Sequence, residues 1–118
     1  MSSLPSGFKQ IPNGMISDVT FDMNYERFYI SHRVMEQYDL DFGDRIGLAY
    51  DYENNKLLID TRGTAFYIDR RGYVTSKRFS QEMKSASYTR YRDMRIRYTL
   101  IPKESDDRFI VFQEGWLD

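Results

Sequence analysis

Val19, Phe21 and Met23 alternate with Asp18, Thr20 and Asp22, the period-two pattern of a strand with one dry face and one acidic, wet face. A turn near Asn24 leads to a return strand over residues 27–31, so the pair predicts a hairpin. From His32 to Leu40 the period changes: Val34 and Tyr38 lie four apart, Ser31 is placed to cap, and no Gly or Pro interrupts. That predicts a two-turn helix, stopped in the run 39–44 where Gly43 can take a positive φ. Ile46, Leu48, Tyr50 and Tyr52 alternate again, residues 53–56 turn, and residues 57–60 return as the partner strand.

After Thr61, Arg62 and Gly63 the order restarts. A strand over 65–69, a tight turn over 69–72 and a return over 73–75 lead to Ser76, placed to cap a helix in which Phe79 and Met83 sit four apart. A looser linker, 84–93, leads to Met94, Ile96, Tyr98 and Leu100 alternating with Arg95, Arg97 and Thr99; residues 102–107 turn, and 108–113 close the hairpin. At one offset of 45, Ser31 falls on Ser76, Arg33 on Arg78, Val34 on Phe79 and Tyr38 on Met83. The prediction is a mainly β chain with two short helices (α+β): tandem hairpin–helix–hairpin units, 15–61 and 64–118, merged into one barrel-like or swapped-hairpin domain behind a loose tail, 1–14. Neither unit suffices alone, because a lone two-stranded ribbon and a two-turn helix are both marginal in water.

The stretch RFYISHRVMEQYDLDFGDRIGLAYDYENNKLLID resembles the AbrB/SpoVT/MazE swapped-hairpin family over roughly residues 25–61, through Ile30, Arg33, Leu40, Gly43, Asp44, Ile46 and the hairpin from Leu48 to Ile59. The second unit, with GYVTSKRFSQEM, MRIRYTL and RFIVF, is similar in order but lacks the Gly-Asp stop. The resemblance implies hairpin exchange between two copies and DNA binding through arginines. The tandem plan is similar to that of MraZ proteins, and implies a pseudo-dimer in one chain or a homodimer. Where the family usually has Pro-Lys after the first strand, this chain has Ser31-His32-Arg33 and Ser76-Lys77-Arg78.

Charge sharpens the picture. The chain of 118 residues carries net charge −1, which names no anionic partner. The halves differ: residues 1–60 hold five Lys/Arg against ten Asp/Glu (−5), and residues 61–118 hold twelve against eight (+4). Such a split predicts one face for an anionic partner. No cysteine and a single histidine exclude disulfides and thiolate metal sites and disfavour a zinc site. The N-terminal residues lack a signal-peptide pattern and no run approaches a membrane span, so a soluble cytoplasmic protein with no membrane partner is expected.

Candidate nucleic-acid contacts follow from the basic half. Arg70 and Arg71 sit at a predicted hairpin tip, from which guanidinium groups can fork onto phosphate oxygens. Arg95 and Arg97 share the outward face of one strand, with Arg90 and Arg92 just before, a row of cations able to neutralise phosphates; cross-strand pairing with Glu104, Asp106 or Asp107 is the alternative. Lys77 and Arg78 open the second helix, where cations oppose the dipole. Tyr88 and Tyr91 are candidates to stack on exposed bases, whereas Tyr98 belongs to the core. His32 beside Ser31 makes no catalytic pair, since neighbours at such a junction point apart. Asp39, Asp41 and Asp44 fit a helix stop better than a metal loop. With no catalytic set, cofactor motif or metal site, the expectation is a non-enzyme: a small DNA-binding transcriptional regulator contacting duplex DNA. The alternative is a protein-interaction module, antitoxin-like or a phage- or plasmid-encoded inhibitor of a host protein, using the acidic first unit through Asp18, Asp22, Glu26, Asp41, Asp44 and Asp51.

Overall fold

The computed structural model of the chain describes residues 5–8, 18–87 and 95–115. Strands β1 (Val19–Asp22) and β2 (Arg27–Ile30), helix α1 (His32–Gln37), and strands β3 (Arg45–Asp51) and β4 (Lys56–Asp60) form the first unit. Strands β5 (Phe66–Tyr67) and β6 (Tyr73–Thr75), helix α2 (Lys77–Ser87), and strands β7 (Arg95–Leu100) and β8 (Phe109–Glu114) form the second, with a 3-10 turn at Pro102–Glu104 before β8. Among the described residues no helix is long and apolar enough to cross a membrane.

The eight strands run in the order β5-β3-β4-β8-β7-β1-β2-β6. The tight turn between β5 and β6 brings the two ends together, Asp69 N–H donating to the Tyr73 carbonyl at 3.0 Å, so the antiparallel sheet curls into a nearly closed barrel. Exchanging each strand with its counterpart in the other unit gives back the same order, read around the barrel in the opposite sense. The register obeys the same exchange: Asp22 pairs with Arg95 where Tyr67 pairs with Arg45, and Phe28 pairs with Val74 where Tyr29 pairs with Tyr73. The leading strand of each unit therefore pairs with the other unit's second hairpin, which makes the hairpins interleave rather than sit side by side.

Local chemistry repeats as well. Ser31 Oγ accepts the Val34 N–H and Ser76 Oγ the Phe79 N–H, each at 3.3 Å, so both helices start on the same cap. The β1–β2 and β3–β4 turns are built alike: Asp22 takes the N–H groups of Asn24 and Tyr25, Asp51 those of Glu53 and Asn54, and each turn closes on a left-handed residue, Glu26 (φ 56°) or Asn55 (φ 53°).

Two boundaries differ from expectation. Helix α1 ends at Gln37 rather than Leu40, because Asp39 already adopts a left-handed φ of 55°; Gly43 then turns the chain at φ 89° as expected. Helix α2 continues to Ser87, four residues into the stretch read as linker, since residues 84–87 contain no Gly or Pro to stop it.

The inward stripes of both units make one core. Phe21, Phe28, Ile59, Ile96, Tyr98, Ile110 and Phe112 are all essentially fully buried. From α2, Phe79 lies 4.7 Å from Phe21, 5.0 Å from Phe28 and 5.0 Å from Tyr50, ring centre to ring centre, so the second unit's helix closes the first unit's strands.

Candidate nucleic-acid interface

Strand pleating sends alternate side chains outward on β6, β2, β1 and β7. The register lines them up in two rows across the barrel wall, Tyr73–Tyr29–Thr20–Arg97 and Thr75–Arg27–Asp22–Arg95. Tyr29 and Tyr73 meet with ring centres 5.4 Å apart. The Arg27 guanidinium carbon lies 3.8 Å from the Tyr73 ring centre and 4.8 Å from that of Tyr25, so two rings engage the one cation. Its Nε is buried and has no hydrogen-bond partner among the described residues. Together with Arg95 and Arg97 these side chains line a depression of about 270 Å³.

Arg95 and Arg97 therefore do share an outward face, but the partners expected for them are elsewhere. Arg95 Nε lies 3.6 Å from Asp22 on β1, whereas Glu104 pairs with Lys56 at 2.9 Å and Asp106 accepts the Arg108 and Phe109 N–H groups. The β7–β8 turn lies at the far end of β7, out of reach of Arg95, and the strand that supplies the carboxylate comes from the other unit.

Arg70 and Arg71 occupy the β5–β6 tip. Asp69 builds it by accepting the Arg71 and Tyr73 N–H groups at 2.8 and 3.0 Å, and Gly72 turns it at φ 84°. Both arginines are exposed and neither makes an ion pair among the described residues. They border a broad, shallow depression of about 800 Å³ with the exposed rings of Phe42 and Tyr67. A Cβ on Gly72 would stand 3.5 Å from the Tyr29 ring, so this tip abuts the tyrosine pair and extends the same surface.

Lys77 and Arg78 do not join it. Arg78 pairs with Glu82 at 3.4 Å and lines a separate cavity of about 220 Å³ with Leu48, Tyr50, Tyr52 and Phe79; Lys77 is exposed beside it in sequence. There the Tyr52 hydroxyl bonds Glu82, which holds that carboxyl below its usual range, while burial, then the same bond, pushes the Tyr52 phenol up to about 12. Tyr88, Arg90, Tyr91 and Arg92 lie outside the described residues. Tyr98, assigned to the core, is fully buried with its hydroxyl 3.1 Å from that of Tyr50.

The residues that sequence reasoning missed are Tyr25, Arg27, Tyr29 and Tyr73. Arg27 and Tyr29 are the outward positions of a strand whose inward positions, Phe28 and Ile30, were legible; what could not be read was that β6 would lie beside them. Exposed His32 faces Glu36 at 3.5 Å, and Ser31 is occupied as a cap. Among the described residues no group of three or more metal-ligating side chains is placed to hold an ion. The arrangement offers guanidinium groups for phosphate oxygens and ring faces for a planar group. Comparison of the chain with known protein families, with curated proteins and with solved structures finds no match.

Proposed function

We propose that this protein is a small cytoplasmic DNA-binding regulator of the swapped-hairpin type, gripping nucleic-acid phosphates with the outer face of β6, β2, β1 and β7. The observation that carries this reading is the concentration of Arg27, Arg95 and Arg97 among tyrosine rings on one open wall, continued by Arg70 and Arg71 at the adjoining tip. The interleaved hairpins support the resemblance to AbrB/SpoVT/MazE proteins, in which hairpins are exchanged. The wall draws its strands from both units, so cations of the second unit and Arg27 of the first act on one partner.

The competing use of the acidic half as a protein-docking surface has less in its favour. Asp18, Asp22, Asp41, Asp44 and Asp51 each already accept a backbone N–H in a turn or strand, and Asp18 and Asp22 also hold arginines.

Fluorescence anisotropy of a labelled duplex tests the reading. Affinity is expected at about 50 mM salt and should fall steeply by about 200 mM, the log–log slope losing roughly 0.9 for each phosphate contact removed. In the double variant Arg95→Gln/Arg97→Gln the slope should shrink by roughly two such contacts. Absence of binding at low salt, or an unchanged slope in that variant, overturns it.

A further inference from the structure

The Arg27 side chain is held in an unusual way for a cation on a barrel wall. The rings of Tyr73 and Tyr25 both lie against its guanidinium, with centres 3.8 and 4.8 Å from the guanidinium carbon. Its Nε is sealed from water, and among the described residues it has no hydrogen-bond partner and no side-chain hydrogen bond or ion pair engages Arg27. With two rings against the guanidinium and the inner nitrogen shut off, the terminal N–H edge is what remains for a ligand. Such a fixed fork matches two oxygens of a phosphate in its own plane, which a lysine ammonium would not do.

Directly beside it on the sheet, Tyr29 keeps 38% of its surface exposed while leaning on Tyr73. A large ring left half open next to a preoriented cation suits a planar, electron-rich group lying flat on it. The depression around both, about 270 Å³, lies just under the usual range for small-ligand pockets, roughly 300–1,000 Å³. That is room for one nucleotide rather than for an extended cofactor. Arg97 stands in line with Tyr29 across Thr20, and Arg95 in line with Arg27 across Asp22, so neighbouring phosphates of a strand would meet cations on the same side.

We infer that Tyr29 and Arg27 form a site for one unpaired nucleotide of a nucleic-acid strand, the base stacked on Tyr29 and its phosphate held by the Arg27 fork. Bases inside a duplex are already stacked and paired, so a nucleotide seated here comes from a single strand, a gap or an end. This rests on the nucleic-acid reading above and narrows it.

The test compares a labelled oligothymidylate with a blunt hairpin duplex of equal length, by anisotropy at low salt. The oligothymidylate should bind more tightly. Tyr29→Leu, a change at an exposed strand position, should weaken it roughly five- to hundred-fold, a larger loss than the same change causes on the duplex, and Tyr29→Trp should strengthen it. Arg27→Lys keeps the charge yet should lose roughly ten-fold. Equal or weaker binding of the oligothymidylate in the wild type, or Tyr29→Leu and Tyr29→Trp both matching the wild type, overturns the inference. If Arg95→Gln/Arg97→Gln still flattens the duplex salt slope in that event, the site falls and the phosphate-binding reading stands; absence of binding to either probe removes both.

Discussion

Asp18 and Leu100, 82 residues apart, are joined by a 2.8 Å hydrogen bond in which the Leu100 N–H donates to a carboxylate that is 4% exposed. The other oxygen of Asp18 takes the Arg33 guanidinium at the start of α1. One carboxylate thus fastens β1 and α1 of the first unit to β7 of the second. The two bonds should not weigh equally: the Arg33 side chain is 75% exposed, and water-facing ion pairs are worth about 0–1 kcal/mol. Asp18→Ala leaves a buried N–H without an acceptor and should cost about 1–3 kcal/mol, whereas Arg33→Ala should cost under about 1 kcal/mol. Urea titrations of the two variants give the comparison, and equal losses would mean that the ion pair, not the Leu100 bond, dominates.

Phe79 is the point where the helix of one unit enters the ring cluster of the other. Truncation to Ala removes its contacts with Phe21, Phe28 and Tyr50 together and should cost about 3–5 kcal/mol, against a smaller loss for Phe79→Leu. Because the units share one core, unfolding should stay a single transition seen alike by tyrosine fluorescence and far-ultraviolet dichroism. Two separated transitions in the wild type would contradict the interleaved fold.

Stability should fall at both ends of the pH scale, for different residues. The Tyr52 phenol is raised to about 12 from 10.0, so the folded state favours its protonated form. That contribution is complete below pH 10 and is lost as pH climbs toward 12. On the acid side, Arg108 holds the Asp60 carboxyl below its ordinary 3.8 through bonds of 3.2 and 3.4 Å, and turn N–H groups of Phe109 and Arg108 lower Asp106. Depressed carboxyls contribute above their unfolded value and lose that contribution as pH drops through the folded one, so the acid loss should set in below about pH 4. Melting temperature against pH should show Asp60→Asn flattening the acid limb alone, and Tyr52→Phe flattening the alkaline limb together with the part of the acid limb that Glu82 contributes through the lost hydroxyl bond.

The division between what the chain revealed and what it hid follows the range of the interactions. Caps and turns are local: Ser31, Ser76, Asp51 and Gly43 do what their neighbours in sequence imply, and the alternations at Val19 to Met23 and Ile96 to Leu100 point the expected residues inward. Pairing between distant strands carries no such mark. Nothing near Arg95 announces Asp22 as its partner, and nothing near Tyr29 announces Tyr73, because both depend on which hairpin edge the other unit presents. Clustering by sequence put Lys77 and Arg78 with Arg70 and Arg71, yet the strand β6 between them carries the helix start away from the tip.

The junction between the units supplies the last prediction. Gly63, just past β4, passes so close to β3 that a Cβ on it would stand 2.1 Å from the Gly47 nitrogen and 2.4 Å from the Gly47 Cα. Those obstacles are backbone and cannot swing aside as a long side chain could. Gly63→Ala must therefore push β3 and the junction apart, straining the N–H that Gly63 donates to the Asp60 carbonyl at 3.0 Å, and should cost about 1–3 kcal/mol or more. A Cβ on Gly43, by contrast, meets nothing within 4 Å, so Gly43→Ala suffers from its positive φ alone, at about 1–2 kcal/mol. Gly43→Asn, whose side chain tolerates that conformation, should recover most of the Gly43 loss, while Gly63→Asn should be no better than Gly63→Ala. Denaturation midpoints of the four variants separate crowding from backbone strain, and recovery at Gly63 by Asn would show that the close approach to Gly47 is not what demands glycine there.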